Sequence, residues 1–301
     1  EELIYKFGED IVDREDINFV IHESWKDEDM VEIGVLPSGG KLIINKLAVE
    51  ADLLISEGFI EPHFFAGFSG GRKSVLPGVA SQVTVIANHC SKFIDSEYSR
   101  TGILENNPIH KDMLYAAEKA NLAFIINVVI NEDKKVIDAY AGHFNDAHIK
   151  GCAFVKELSG VDAIPANIVI STNGGYPLDQ NIYQSVKGMT AAEATCKEGG
   201  VIIMVTDCSA GHGGQSLYDT FANEKDKNKI MKTFLDTPME DTVADQWESQ
   251  ILCRILLKYK VIMVTNAPEQ MVRDMQMDYA KSVDEAIKMA DEYLGKPNEK
   301  I

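Results

Sequence analysis

The sequence has no apolar run long enough to cross a bilayer, and it does not open on a basic segment followed by a hydrophobic signal core. Its five cysteines are scattered and never form a Cys-x-x-Cys arrangement, which argues against a disulfide framework and the common zinc motifs. Positive charge is also scarce, because 29 basic residues face 47 acidic ones and the net charge is -18. Such a chain lacks the cationic surface that attracts nucleic acids and anionic membranes. We therefore predict a cytoplasmic protein with no nucleic-acid and no membrane partner.

Apolar residues are plentiful, and their pattern predicts the fold class. They make up 45% of 301 residues, enough for two ordinary domains. Strand-like and helix-like segments alternate, which predicts an α/β protein of two domains, each a mostly parallel sheet with helices on both faces and an active site in the interdomain cleft. We predict a cofactor-binding and catalytic domain over residues 1–162, a substrate-side domain over 163–295 and a tail over 296–301. The division rests on a new strand, 167–171, that opens a second cycle.

Individual elements can be predicted from local patterns. Residues 18–22 and 52–57 are strand-like, and the second of these is apolar enough to suggest a buried parallel strand. Residues 124–130 and 136–140 predict a hairpin, and residues 145–158 predict a helix.

A glycine-rich stretch over residues 62–78 follows the apolar strand, and α/β proteins place ligand sites at such positions. Residues 67–74 match a phosphate-binding P-loop except that Arg72 stands where the second glycine belongs, and a P-loop nucleotide triphosphatase stays open as an alternative. Lys73 beside a glycine-rich loop also suits a Schiff base with pyridoxal phosphate, although that chemistry leaves the nearby His63 and His89 unexplained.

Four segments in register carry a family resemblance that covers essentially the whole chain. They are His63-x-x-x-Gly67-Phe68-Ser69-Gly70-Gly71-Arg72-Lys73, Asn88-His89, Tyr183-Gln184-x-x-Lys187 and Asp245-Gln246-Trp247. Together they resemble the nickel-dependent lactate racemase family, the nickel-pincer racemases and epimerases of 2-hydroxy acids.

The resemblance implies a cofactor and its ligands. Lys73 would carry, through a thioamide, pyridinium-3,5-bisthiocarboxylic acid mononucleotide, which holds nickel in a pincer, and His89 would be a nickel ligand. The cofactor would come from dedicated biosynthesis proteins. We expect its phosphate to be held by Ser69, Gly70, Gly71 and Arg72.

The resemblance also implies the reaction. A racemase would interconvert D- and L-lactate by hydride transfer to and from the cofactor, with His63 as one of two acid/base histidines beside Lys73. Tyr183, Gln184, Lys187 and Trp247 would face the small 2-hydroxy-acid substrate. Two alternatives remain open, namely a racemase or epimerase of another 2-hydroxy acid and a catalytically incomplete cofactor-binding fragment.

One part of the family pattern is missing. The family carries its second catalytic histidine in an Ala-Thr-Gly-x-His-Arg run, with a substrate-binding arginine further upstream, and the sequence contains neither. We expect the chain to lack roughly the first quarter of the family's length. His212, in the glycine-rich loop 207–214, is a further candidate, whereas His110, His143 and His148 are predicted to be structural or on the surface.

Overall fold

The computed structural model describes residues 1–295, and the N-terminal part of the chain is built around a three-stranded sheet. Its elements in chain order are α1 (Glu2–Phe7), α2 (Glu9–Val12), β1 (Met30–Val35), β2 (Lys41–Asn45), α3 (Lys46–Glu50), β3 (Leu54–Phe59), β4 (Pro62–His63), β5 (Gly67–Phe68), α4 (Gln82–Asn88), α5 (Ser91–Asp95), α6 (Pro108–Lys119), β6 (Leu122–Ile130), β7 (Val136–Gly142) and α7 (Asp146–Ser159). The sheet has the order β3-β6-β7, with β3 parallel and β7 antiparallel to β6. The pairs β1–β2 and β4–β5 form separate small antiparallel sheets.

The C-terminal part is a four-stranded parallel sheet with helices on both faces. Its elements are β8 (Ala166–Thr172), α8 (Ile182–Glu193), β9 (Cys196–Val205), α9 (Gln215–Asn223), α10 (Lys227–Asp236), α11 (Gln246–Lys258), β10 (Lys260–Val264), α12 (Glu269–Asp274), β11 (Asp278–Ala280) and α13 (Val283–Leu294). The strand order is β11-β10-β9-β8, and every pairing is parallel. Alternate residues of β9 pack against α8 and α11 on one face and against α13 on the other, which explains why its apolar run is continuous.

One apolar core runs through both parts of the chain. It joins Leu42, Phe65 and Met113 from the N-terminal part to Val186 and Ile251 from the C-terminal part. The two parts therefore stabilise each other by shared burial.

The α/β class and the division of the strands into an N-terminal and a C-terminal sheet are confirmed, although the N-terminal sheet has only one parallel pairing. The hairpin of β6 and β7 and the helix α7 lie where they were predicted. The strand prediction for residues 18–22 is wrong, since they form no regular element. Alternate residues of β3, among them Ile55 and Phe59, are exposed, so this strand is only half buried.

The predicted domain division after residue 162 falls between α7 and β8 and stays a prediction, while the predicted tail lies outside the described residues. Within residues 1–295, none of the helices combines the length and apolarity that a bilayer-spanning segment needs.

Candidate functional site

The glycine-rich stretch folds into the short hairpin of β4 and β5 followed by a 3₁₀ turn, Gly71–Ser74. His63 lies opposite Gly67 in the hairpin, and its Nδ1 accepts a hydrogen bond from the backbone N–H of Ala66 at 3.2 Å. The ring stacks on Phe64 and meets the edge of Phe65. The local chain therefore fixes the orientation of His63 without help from another domain.

The buried position of His63 keeps its imidazole neutral. Burial lowers its pKa to about 2, and the positive charge of Lys73 acts in the same direction. Because Nδ1 accepts from an N–H group, a neutral ring must carry its proton on Nε2. His63 therefore offers a donor, not an acceptor, at its free nitrogen in this arrangement.

Lys73 lies on the 3₁₀ turn as an unpaired amine. Its Nζ makes no hydrogen bond or ion pair with any of residues 1–295, and burial, followed by repulsion from Arg72, lowers its pKa to about 7. A large fraction of the amine is then neutral at physiological pH. A neutral lysine is the form that attacks an electrophilic carbon.

The four residues predicted to hold a phosphate are largely engaged within the protein. The Ser69 hydroxyl donates to the carbonyl of Phe59, and the Gly71 N–H donates to Asn127 Oδ1 at 2.7 Å. Gly70 approaches Asn127 so closely that an added Cβ would lie 2.8 Å from Oδ1.

Arg72 is 1% exposed, and its guanidinium donates to the carbonyls of Ala66, Phe68 and Gly70. These bonds hold the hairpin against the turn. The predicted phosphate contacts of Ser69, Gly70, Gly71 and Arg72 stay a prediction.

His89 caps the C-terminus of α4 and presents the opposite tautomer to His63. Its Nδ1 lies 3.0 Å from the carbonyl oxygen of Val85, so Nδ1 carries the proton and Nε2 keeps a free lone pair. Burial, followed by the charge of Lys73, lowers its pKa to about 3. A neutral imidazole with its second nitrogen anchored on a carbonyl is the usual form of a metal-ligating histidine.

Aromatic contacts connect His89, in the N-terminal part of the chain, to the C-terminal part. The centre of the His89 ring lies 5.1 Å from that of Phe65 and 4.9 Å from that of Trp247. Trp247 belongs to the first turn of α11. The hairpin, α4 and α11 thus converge at His89.

The first two turns of α8 lie near the aromatic rings of the hairpin. Asn181 caps this helix by accepting from the N–H of Gln184. Lys187 Nζ donates to Gln184 Oε1 at 2.7 Å and lies 5.8 Å from the centre of the Phe64 ring. The Tyr183 hydroxyl donates to Asp245 Oδ1 at 2.8 Å. The predicted substrate-side residues therefore lie across from His63 and His89.

Asp245, from the Asp245-Gln246-Trp247 motif, accepts a hydrogen bond from the Tyr183 hydroxyl. The structure also adds two residues that the sequence analysis did not single out, Glu248 and Asn127. Glu248 follows Trp247, is buried, and its carboxyl group feels the charge of Lys187. Asn127 supports the turn, and it is the polar exception in the otherwise apolar strand β6. A polar side chain within an otherwise apolar strand is the signal that could have identified Asn127.

Four of the remaining histidines have partners elsewhere, whereas the buried Nδ1 of His110, on α6, has no hydrogen-bond partner among residues 1–295. His148 lies against Arg72 behind the hairpin, His22 contacts the carbonyl of Ala80, and His212 stacks on Tyr218. His143 is half exposed near Asp146. Nowhere in the part of the chain that the structure describes do three His, Cys, Asp or Glu side chains gather as a metal site. His89 could thus supply one ligand to a metal whose other ligands come from a bound group.

Comparison with known proteins identifies relatives of the whole chain. Residues 1–102 match the family model of the lactate racemase N-terminal domain, and residues 161–301 match that of the lactate racemase C-terminal domain. A lactate racemase of Thermoanaerobacterium thermosaccharolyticum is 61% identical over 292 residues, which cover 97% of this chain and 68% of the relative. A lactate racemase of Lactiplantibacillus plantarum is 59% identical over 291 residues, which cover 96% of this chain and 68% of the relative.

Superposition on solved structures also matches the chain to a lactate racemase. The lactate racemase apoprotein of Thermoanaerobacterium thermosaccharolyticum superposes with a TM-score of 0.94 at 60% identity, covering 97% of this chain and 70% of that one. A Thermotoga maritima protein superposes with a TM-score of 0.67 at 22% identity, covering 92% of this chain and 76% of that one, and this second match supports the fold alone.

Proposed function

Because the chain belongs to the lactate racemase family, we propose that it is an isomerase that interconverts D- and L-lactate. The observation that carries the proposal is the identity of about 60% to two lactate racemases, which extends over 97% and 96% of this chain. The convergence of His63, Lys73, His89, Lys187 and Trp247 supports it. The cytoplasmic location and the role of cofactor biosynthesis proteins stay predictions.

Lys187 and Gln184 would bind the substrate carboxylate. They already share a hydrogen bond of 2.7 Å, so the ammonium and the amide N–H₂ can donate to a carboxylate from one helix face. Phe64 and Trp247 would provide apolar walls for the methyl group of lactate.

The residues fit the proposed nickel-pincer nucleotide in two respects. Lys73 is an unpaired amine with a lowered pKa, which suits covalent attachment, and His89 offers an unprotonated Nε2, which suits a nickel ion. When bound, such a cofactor supplies a hydride acceptor for the substrate C2–H, a bond too weakly acidic for a side-chain base alone. Lys73 and His89 would hold the group, and the remaining chemistry is proton transfer.

His63 would exchange a proton with the substrate hydroxyl. Acceptance at Nε2 requires the proton of the neutral ring to move to Nδ1, where it would oppose the N–H of Ala66. We therefore expect the segment of residues 64–66 to shift when the substrate binds.

Racemisation needs a second acid/base group on the opposite face of the carbon. We propose that this group comes from polypeptide corresponding to the third of the relatives' length that the chain does not match.

The test uses the chain joined to that segment of the Thermoanaerobacterium thermosaccharolyticum relative and produced together with the cofactor biosynthesis proteins. We expect conversion of L-lactate to D-lactate, a mass increase located on Lys73 and bound nickel. With lactate deuterated at C2, the product should keep its deuterium, because the same hydride returns to the carbon. Loss of the label to water would contradict the hydride mechanism.

Two variants separate the roles of the residues. Lys73→Arg should abolish the mass increase and the activity together, whereas His89→Ala should keep the attached group and lose most of the nickel. Conversion of a different 2-hydroxy acid in preference to lactate would reassign the substrate and leave the reaction type intact.

A further inference from the structure

Glu248 is a buried carboxyl group without a hydrogen-bond partner. The residue is 1% exposed, and neither Oε1 nor Oε2 accepts a hydrogen bond from any of residues 1–295. Glu193 is also largely buried, with a side chain that is 12% exposed, but both of its carboxylate oxygens accept hydrogen bonds from Arg254, at 3.1 and 2.8 Å. Unpaired buried polar groups are costly and few in native proteins, so Glu248 needs an explanation.

The position of Glu248 connects it to the substrate side of the site. It follows Trp247 on the first turn of α11, and α11 packs against α8. The charged groups that act on its carboxyl are Lys187 from α8, which favours the ionised form, and Asp245, which opposes it. The Tyr183 hydroxyl on α8, which donates to Asp245, is also within electrostatic reach.

The neutral form of Glu248 suits this environment. Burial is the largest effect and raises its pKa to about 8, so the carboxyl is mostly protonated at neutral pH. A neutral Glu248 leaves the charge of Lys187 uncompensated by this residue. Lys187 donates only to the uncharged amide oxygen of Gln184 in the described part of the chain.

We propose that Glu248 is a positioning residue that controls the charge available at Lys187: protonated, it leaves the ammonium to the substrate carboxylate, and ionised, it competes with the substrate for Lys187. This inference rests on the proposed function in one respect, namely that Lys187 binds the carboxylate of lactate. Glu248 itself need not touch the substrate.

The direction of the pH effect follows from the charges. As pH rises through the range in which Glu248 loses its proton, a carboxylate appears beside Lys187 and repels the anionic substrate. Lactate affinity should therefore fall in alkaline solution. Glu248→Gln keeps the size and polarity of the side chain but cannot ionise, so it should remove this alkaline loss.

The first experiment measures the ionisation directly and without substrate. Trp247 is one of two tryptophans, and Trp25→Phe removes the other, so the emission of the single-tryptophan protein reports on the neighbour of Glu248. Between pH 6 and 10 we expect a transition that disappears in Glu248→Gln. It should move to higher pH in Lys187→Gln, because the cation that favours the carboxylate is gone. Glu292→Gln, the same change on an exposed face of α13, should leave the transition unchanged.

The second experiment measures the dissociation constant of L-lactate from the emission of Trp247 at pH 7 and 9.5. We expect a loss of affinity of roughly fivefold to tenfold, absent in Glu248→Gln. A transition that persists in Glu248→Gln, or one that does not move in Lys187→Gln, would overturn the inference. If lactate did not bind at either pH while the coupling between Glu248 and Lys187 remained, the proposed function would fail and the coupling would stand.

Discussion

Lys73 illustrates how one side chain can be costly for folding and useful for chemistry. Its ammonium form is disfavoured by burial and by Arg72, which lowers its pKa from 10.5 to about 7. In the unfolded chain the amine keeps its ordinary pKa, so between about pH 7 and 10.5 the unfolded state binds more protons than the folded state. The contribution of Lys73 to stability therefore rises with pH over this window and is least favourable below pH 7.

Replacement of Lys73 by methionine, which has a similar length and no charge, should stabilise the fold. At pH 6 we expect a gain of about 1–3 kcal/mol in the free energy of unfolding, shrinking towards zero by pH 10. Urea unfolding at pH 6, 8 and 10 measures it. Lys111→Met, on an exposed face of α6, is the matched control and should show no such trend. A gain that stays constant with pH would show that the charge of Lys73 is not the cause.

The two histidines of the site show what can be predicted at this scale and what cannot. The family resemblance implied His63 and His89 as site residues. It could not reveal that a backbone N–H faces Nδ1 of His63 while a carbonyl faces Nδ1 of His89. The tautomers, and so the chemistry available at each Nε2, depend on backbone geometry that residue types do not encode.

At the scale of elements, the glycine-rich turn depends on contacts that leave no room for a side chain. Gly71 has φ of 55°, and a Cβ there would lie 2.7 Å from the His148 ring. Gly39, in the turn between β1 and β2, also has positive φ, at 95°, but nothing lies within 4 Å of a Cβ. Substitution of Gly39 therefore tests backbone strain alone, whereas substitution of Gly71 tests backbone strain together with steric overlap.

Gly71→Ala should destabilise the fold more than Gly39→Ala. Both variants carry a backbone strain of about 1–2 kcal/mol, and only Gly71→Ala adds overpacking of about 1–3 kcal/mol. Urea unfolding of the two variants measures the difference. Equal losses would mean that His148 moves aside without cost and that the turn is less constrained than its contacts indicate.

Strongly patterned elements could be predicted from the sequence, whereas elements defined by their neighbours could not. The apolar run of β9 and the hairpin of β6 and β7 follow from local pattern and turn residues. Residues 18–22 have the composition of a strand but no partner strand beside them, so the prediction failed.

At the scale of the whole molecule, the site exists only because the two parts of the chain meet. Trp247 contacts His89, Lys187 lies over Phe64, and Gln250 donates to the carbonyl of Ser91 across the same junction. The resemblance assigned His89, Lys187 and Trp247 to one site, but the sequence could not predict which side chains would touch. The buried, unpaired Glu248 at this junction was not foreseen for the same reason.

The arrangement of the seven histidines leads to the last prediction, which concerns turnover by the 301-residue chain. His63 is the proposed acid/base group, His89 is the proposed nickel ligand, and the rings of His22, His148 and His212 contact other residues. A chain with acid/base catalysis on one face of the carbon should carry the attached group and nickel, yet convert lactate at least a hundredfold more slowly than the chain joined to the relatives' unmatched segment. A chiral lactate assay compares the two proteins at equal nickel content.

His63→Gln in the joined protein should reduce the rate by a similar factor, since it removes the other member of the pair. Equal rates for the separate and the joined chains would refute the requirement for a second group outside the 301-residue chain.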